Sequence, residues 1–232
     1  YSPQGKLLDF NIREVVIPGR TTDTVRFSPF IYGTNANKWE PGAKNPPLYK
    51  VILFTRRDGA YREYMPLKIG FGKTELVDGR LTRFDKELKL VKAGYNAAAD
   101  RKTTLAELKT LKAKGNNTIC PDYPQPGWFY DLCDELGLYV IDCANINAPE
   151  KRDDRKVGGT PSNDPSLADE YLERVKAMYY RSRNHSCVIA FALGGESGNG
   201  YNMYKAYEWL KSVEKSRPVI CADADGEWNS DL

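Results

Sequence analysis

Carboxylate, amide and aromatic side chains recur at the ends of the short apolar strands predicted in the second part of the sequence. A carboxylate there can donate and accept protons. Amides can hydrogen-bond the hydroxyls of a sugar, while an aromatic face packs on its apolar side. The strand-end residues are Asn96, Asp122, Tyr123, Asp142, Asn145, Gly195, Glu196, Asp223 and Asp225. Together they predict a carbohydrate-binding surface, although each one singly also fits a loop start or a helix cap.

These residues belong to a region, from residue 81 onward, where helices alternate with apolar strands. Capping boxes at residues 104–107 and 166–169 predict two helix starts, and Gly115 and Gly137 predict two helix ends. The continuous apolar run at residues 138–143 indicates a strand that is buried on both faces of a parallel sheet. The alternation predicts a (β/α) barrel or an open doubly wound sheet, and a barrel carries its chemistry where the strands end.

Residues 1–78 lack a helical pattern and indicate β structure. Runs rich in β-branched and aromatic residues predict strands at 10–17, 24–27 and 48–54. The Asp58-Gly59 pair predicts a hairpin turn, with a return strand at 61–65. The predicted organisation is therefore a small antiparallel β-sandwich at residues 1–78, followed by an α/β domain at residues 79–232.

The composition of the 232 residues argues against several classes of protein. The net charge is +3, from 34 basic and 31 acidic residues spread along the chain, which gives no electrostatic footprint for nucleic acid. No apolar run approaches the roughly 20 residues of a membrane-spanning helix. The five cysteines form no C-x-x-C pair, so neither a disulfide framework nor a paired-cysteine zinc site is predicted. The compartment stays open, with periplasmic and extracellular locations among the candidates.

No metal or cofactor is predicted either. His185 is the single histidine, which excludes a histidine-rich metal site, and we interpret it as structural. The glycine-rich run at residues 194–200 comes late in the chain and carries a central glutamate, unlike the fingerprint that follows the first strand of a dinucleotide-binding fold. A Walker motif is absent as well.

Ordered motifs cover most of the chain. Residues 130–142 run into Ala144-Asn145-Ile146, and Arg183-Asn184-His185-Ser186, Leu193-Gly194-Gly195-Glu196-Ser197 and Ser216-Arg217-Pro218-Val219 follow in order. In this order and spacing they resemble glycoside hydrolase family 2, the β-galactosidase and β-glucuronidase group. Upstream, Trp39-Glu40-Pro41, Pro46-Pro47-Leu48-Tyr49 and Ile69-Gly70-Phe71 look like the immunoglobulin-like domain that precedes the barrel of that family.

The resemblance implies an immunoglobulin-like β-sandwich followed by an α/β TIM barrel that is incomplete in this chain. It also implies retaining hydrolysis of a β-glycosidic bond, in which Glu196 matches the general acid/base. A retaining enzyme needs a second carboxylate about 5 Å away as nucleophile. The family carries it on a later strand, so the nucleophile is not expected in this chain. We therefore expect the chain alone to lack turnover, and to self-associate or to need the remainder of a longer polypeptide.

The departures from the family pattern matter as much as the matches. Gly195 replaces the asparagine that usually precedes the acid/base, which removes a hydrogen bond to the sugar 2-hydroxyl. Asn147 stands where typical β-galactosidases have a magnesium-binding glutamate, and small residues at 97–99 replace charged ones. The remaining candidates for sugar contact are Asn96, Tyr123, Asp142, Asn145 and Gly195, with Trp228 weaker. Asp142 also fits a buried acid at a strand end.

Two functions therefore remain open for the parent protein. The retained Glu196 favours a divergent glycosidase that acts on a carbohydrate substrate. The joint loss of several polar site residues favours a non-catalytic carbohydrate-binding or interaction module derived from the same family. A glutamate on a later barrel strand would discriminate in favour of the enzyme.

Overall fold

Two antiparallel sheets come first in the computed structural model, which describes residues 1–32, 34–43 and 45–232. They are formed by β1 (Tyr49–Arg57) with β2 (Ala60–Ile69), and by β3 (Thr74–Val77), β4 (Arg80–Arg83) and β5 (Lys86–Glu87). Asp58 and Gly59 close the first hairpin with φ angles of 53° and 77°. Positive φ at both central residues is what the Asp-Gly pair favours, so the predicted strands at 48–54 and 61–65 are confirmed.

The predicted strands at residues 10–17 and 24–27 are wrong. Neither run has regular secondary structure, and their apolar side chains are exposed, as Val16 is to 89% and Phe10 to 60%. A β-branched run becomes a strand only where a neighbouring strand accepts its backbone hydrogen bonds. None of the described strands pairs with either run. The described residues of 1–78 therefore form a hairpin and the start of a small three-stranded sheet, and they do not show the expected two-layer sandwich.

A five-stranded parallel sheet with four helices makes up the second part of the chain. The strands are β6 (Lys92–Tyr95), β7 (Thr118–Pro121), β8 (Tyr139–Cys143), β9 (Val188–Ala192) and β10 (Val219–Ile220). The helices that alternate with them are α1 (Arg101–Ala113), α2 (Gly127–Leu136), α3 (Ala168–Ser182) and α4 (Tyr201–Val213). The spatial order of the strands equals their sequence order, without reversal. A doubly wound sheet reverses its order at a switch point, so the topology is that of a barrel.

The core lies between this sheet and its helices. All five residues of β8 are buried, as are four of the five in β9. Val175, Met178 and Tyr179 of α3 are buried against this sheet, together with Tyr171. None of the helices in the described ranges is long and apolar enough to cross a membrane.

Both helix starts lie away from the residues that the capping boxes indicate. Helix α1 begins at Arg101, because Oδ1 of Asp100 accepts hydrogen bonds from the amides of Lys102 (2.8 Å) and Thr103 (3.0 Å). Asp164 likewise caps a short 3-10 turn that runs directly into α3. A carboxylate upstream thus takes the cap in both cases, since it also interacts favourably with the positive end of the helix dipole.

The two predicted helix ends are confirmed, and one of them carries a second constraint. Gly115 and Gly137 have φ angles of 92° and 66°, in the left-handed region. A Cβ atom at Gly115 would meet nothing within 4 Å, whereas one at Gly137 would lie 2.8 Å from Cγ of Pro46. The segment around Pro46 therefore packs directly on the end of α2.

The two glycines form a matched pair for a stability measurement. Gly115→Ala should lower the free energy of unfolding by about 1–2 kcal/mol, because only left-handed backbone strain is added. Gly137→Ala should lower it by about 1–3 kcal/mol more, because the methyl group overpacks against Pro46. Urea denaturation of the native protein measures both variants, and equal losses would contradict this packing.

Candidate active site at the carboxyl ends of the strands

The carboxyl ends of β8, β9 and β10 meet at one edge of the sheet, because the three strands are parallel neighbours. The chain continues from these ends to Asn145, Glu196 and Asp223. Sequence reasoning expected these residues to converge, and the structure brings all three segments together at this edge.

Glu196 is the one exposed residue in an otherwise buried segment. Of residues 193–200, Gly195 is half-buried and the others are buried, whereas the Glu196 side chain is 68% exposed. The peptide groups around it are fixed: Gly195 N donates to the carbonyl of Ile146 (2.9 Å), and Ala148 N donates to the carbonyl of Glu196 (2.9 Å). The backbone is therefore held while the carboxylate faces solvent.

On the other side of Glu196 the backbone is held by a buried acid. The amides of Ser197 and Gly198 both donate to Oδ2 of Asp223, at 2.8 and 2.7 Å. The Asp223 side chain is only 9% exposed. Asp223 belongs to the strand-end residues found from the sequence, but the sequence does not show that it bonds the glutamate loop.

Close packing explains the glycines of this run. A Cβ at Gly194 would lie 2.8 Å from the carbonyl oxygen of Ile146, and one at Gly198 would lie 2.4 Å from that of Arg152. Gly198 also has a φ of 69°. These glycines let two backbone segments approach each other, a role unrelated to phosphate binding.

Two arginines fasten the segment between β8 and α3 to the end of β10. Nη1 of Arg152 lies 3.5 Å from Oε1 of Glu196. Nη2 of the same arginine donates a hydrogen bond to Oδ1 of Asp223 at 2.6 Å. Arg155 bonds the carboxylates of Asp225 and Glu227, each at 2.6 Å. Sequence reasoning missed both arginines. They lie in a run of mixed charges at 151–156, and nothing local in that run identifies partners some 70 residues away.

Three further residues gather beside Glu196. Tyr123 is 41% exposed, and its hydroxyl accepts a hydrogen bond from Nδ2 of Asn147 at 3.0 Å. A Cβ at Gly195 would lie 3.6 Å from Oδ1 of Asn147, an ordinary contact. Tyr123 and Gly195 are thus neighbours through Asn147. The departure at position 147 was visible in the sequence, but its place next to Gly195 was not.

Asn96 and Asn145 are both exposed at the same edge. The carbonyl of Asn96 accepts from Nε2 of Gln125 (3.0 Å) and that of Asn145 from Arg174 (2.6 Å). Trp228 is 56% exposed and stacks on Tyr204 with ring centroids 5.3 Å apart.

Asp142 does not reach this surface, which corrects its assignment as a sugar contact. Its side chain is fully buried. Oδ1 accepts from the hydroxyl of Tyr130 (2.6 Å) and from the amide of Cys143 (3.1 Å), and Oδ2 accepts from Ser182 Oγ (2.6 Å) and Arg181 (3.0 Å). Burial, and then the charge of Asp142, raise the pKa of Tyr130, so its hydroxyl remains a donor. Asp142 therefore ties β8 to α2 and α3.

One further group of potential metal ligands lies away from this edge. Ligand atoms of Asp134, His185 and Cys187 fall within 4.8 Å of one another. Asp134 already accepts from the amide of Cys187 (2.7 Å) and lies 2.7 Å from Nδ1 of His185. Burial raises the pKa of the Cys187 thiol well above its usual range, so the thiolate that a metal requires is disfavoured. The group fits a structural network better than a metal site.

Comparison with known proteins finds a matching family model and several relatives. The profile described as "Glycosyl hydrolases family 2, TIM barrel domain" matches residues 94–231. The chain is 34% identical over 185 residues to a β-galactosidase of Vibrio cholerae serotype O1, and 36% identical over 190 residues to one of Lactococcus lactis subsp. lactis. Each match covers 75% of this chain but 18% of the relative, so the chain spans less than a fifth of the relatives' length.

Solved structures share the fold at lower identity. A β-D-glucuronidase of Dictyoglomus thermophilum aligns with a TM-score of 0.68 and 19% identity, over 79% of this chain and 34% of that one. A β-glycosidase of Bacteroides vulgatus aligns with a TM-score of 0.66 and 22% identity, over 82% of this chain and 25% of that one. At these identities the likeness establishes the fold alone.

The structural role of Asp142 has a direct test. Asp142→Asn should lower the free energy of unfolding by about 3 kcal/mol, because an amide group would face Arg181 in place of a carboxylate and leave a partly buried charge unpaired. Asn145→Ala, an exposed site three residues away, should change it by less than about 0.5 kcal/mol. Denaturant titration of the native protein distinguishes the two, and an unchanged stability in Asp142→Asn would refute the structural role.

Proposed function

Because the chain belongs to glycoside hydrolase family 2, we propose that the native protein hydrolyses a β-glycosidic bond with retention and that Glu196 is its general acid/base. The observation that carries this proposal is the exposed carboxylate of Glu196 at the carboxyl end of β9, on a backbone that is hydrogen-bonded on both sides. TIM-barrel enzymes place their reacting groups at this end of the strands.

In the proposed reaction Glu196 protonates the glycosidic oxygen as its bond to the anomeric carbon breaks. A second carboxylate attacks that carbon, and Glu196 then takes a proton from the water that releases the sugar. Asp223, the acid beside Glu196, is buried and accepts three hydrogen bonds, so it is unsuited to the attack. We assign the nucleophile to a residue outside residues 1–232.

The sugar is proposed to lie over Glu196, Tyr123 and Asn147. Tyr123 offers a half-exposed ring face and Asn147 an exposed amide, and Asn145 and Asn96 extend the same edge. Gly195 carries no side chain beside Asn147. The relatives named above are β-galactosidases and β-glucuronidases, so β-galactosides and β-glucuronides are the first substrates to assay.

A non-catalytic carbohydrate-binding module is the second candidate. The ion pair between Glu196 and Arg152 favours it, because it engages the carboxylate with a side chain of the protein itself. The contact is a single one at 3.5 Å, however, and the carboxylate stays largely exposed. We therefore rank the enzyme first.

The division into an immunoglobulin-like domain at residues 1–78 and a barrel domain at 79–232 stays part of the proposal. The β1–β2 hairpin supports it as one edge of such a domain. The barrel match begins at residue 94, which is consistent with a boundary near residue 79.

Replacement of the acid tests the proposed function. In the native protein Glu196→Ala should reduce hydrolysis of an unactivated β-galactoside or β-glucuronide by about 10²–10⁴-fold, the usual contribution of general acid–base catalysis. Sodium azide should restore turnover of an activated aryl glycoside and yield a β-glycosyl azide, since azide attacks without a base. Glu150→Ala, an exposed acid on the neighbouring segment, is the control. Full activity in Glu196→Ala would refute the assignment, and sugar binding without turnover in the unmodified protein would favour the module.

The absence of a side chain at Gly195 provides a gain-of-function test. Gly195→Asn adds an amide beside Glu196, and its Cβ makes only an ordinary contact with Asn147. One added hydrogen bond of about 1 kcal/mol should raise kcat/KM about 5-fold. Gly194→Ala is the matched control, because a Cβ there would lie 2.8 Å from the carbonyl oxygen of Ile146 and should lower both stability and activity. A kcat/KM that is unchanged in a stably folded Gly195→Asn variant would contradict a sugar hydroxyl at this position.

A further inference from the structure

Asp223 holds Glu196 by two separate routes. Oδ2 accepts the amides of Ser197 and Gly198, the two residues that follow Glu196. Oδ1 of Asp223 accepts a hydrogen bond from Nη2 of Arg152 at 2.6 Å. Nη1 of the same arginine lies 3.5 Å from the Glu196 carboxylate. The Asp223 carboxylate thus holds both the backbone that follows Glu196 and the guanidinium nearest to the Glu196 carboxylate.

We propose that Asp223 is a positioning residue for Glu196. It orients the Glu196 carboxylate toward the bound sugar without touching the sugar itself. This inference rests on the proposed function, since positioning matters only if Glu196 transfers a proton. It adds a residue that follows a different strand, 27 positions further along the chain, on which proton transfer depends.

An amide group cannot replace the carboxylate of Asp223 in this set of hydrogen bonds. Both oxygens face donors only: amide N–H groups on one side and a guanidinium on the other. In Asp223→Asn the NH₂ group must therefore face a donor in either orientation. The variant has nearly the same volume but loses one of the two routes, with the unmet donor left at a buried site.

The position of β10 itself does not depend on the Asp223 side chain. Val219 N donates to Oδ2 of Asp231 (2.7 Å), and Asp231 N donates to the carbonyl of Val219 (2.8 Å). Arg155 reaches the backbone carbonyl of Asp223 at 2.8 Å, which a substitution leaves in place. We therefore expect Asp223→Asn to loosen the segment at 196–198 while the sheet stays folded.

The test compares two classes of substrate in the native protein. In a glycoside with a poor leaving group, the glycosidic oxygen needs protonation by Glu196 before the bond can break. In a dinitrophenyl glycoside, the dinitrophenolate leaves without this protonation. Asp223→Asn should lower kcat/KM about 10–100-fold on the first class, part of the range of general acid catalysis, and less than about 3-fold on the second. Asp153→Asn is the control, because it removes the same charge from a fully exposed acid that lies 3.9 Å from Nε of Arg152.

Amide hydrogen exchange at Ser197 and Gly198 provides a second readout that does not require activity. Faster exchange at these two amides in Asp223→Asn, with unchanged exchange in the strands of the sheet, shows that Asp223 restrains the segment after Glu196. If no glycoside is hydrolysed, the proposed function fails while this restraint remains. Unchanged exchange, or equal losses on the two substrate classes, would overturn the inference.

Discussion

Backbone hydrogen bonds on both sides of Glu196 are the constraint on which the candidate site depends. The loop after β9 is joined to the loop after β8 through Ile146 and Ala148, and to the end of β10 through Asp223. Each bond is modest, about 1 kcal/mol net, but a buried amide without a partner would be costly, so the loop has few alternative conformations. Glu196 therefore projects from a rigid segment, which is what a proton donor needs if it is to meet one oxygen atom of a substrate.

The ion pairs around the site contribute unequally. Arg155 pairs with Asp225, whose side chain is 77% exposed, and such pairs contribute at most about 1 kcal/mol. Arg152 pairs with Asp223, which is 9% exposed and also binds two amides, so its loss leaves a buried acid without its cation, a far larger penalty. The exposed pair thus adds little to the attachment of the segment between β8 and α3, and the buried one has the stronger influence on the position of Glu196.

Features that depend on local sequence could be predicted, and features that depend on distant partners could not. The continuous apolar run at 138–143 predicted β8, and glycines predicted the ends of α1 and α2, because both signals act within a few residues. The runs at 10–17 and 24–27 failed as strands since strand formation needs a partner. The contact of Arg152 with Asp223 joins residues 71 positions apart, and the burial of Asp142 depends on donors from α2 and α3. Family resemblance found Glu196, but it did not identify the groups that hold it.

The most direct test of the account is a crystal structure of the native protein with a bound glycoside analogue, at a pH where the protein is active. The account predicts that a carboxylate oxygen of Glu196 lies about 3 Å from the glycosidic oxygen or its substitute, within hydrogen-bonding distance, with the amides of Ser197 and Gly198 still bonded to Asp223. A sugar bound elsewhere, or a Glu196 side chain that stays paired with Arg152 and away from the sugar, would contradict it.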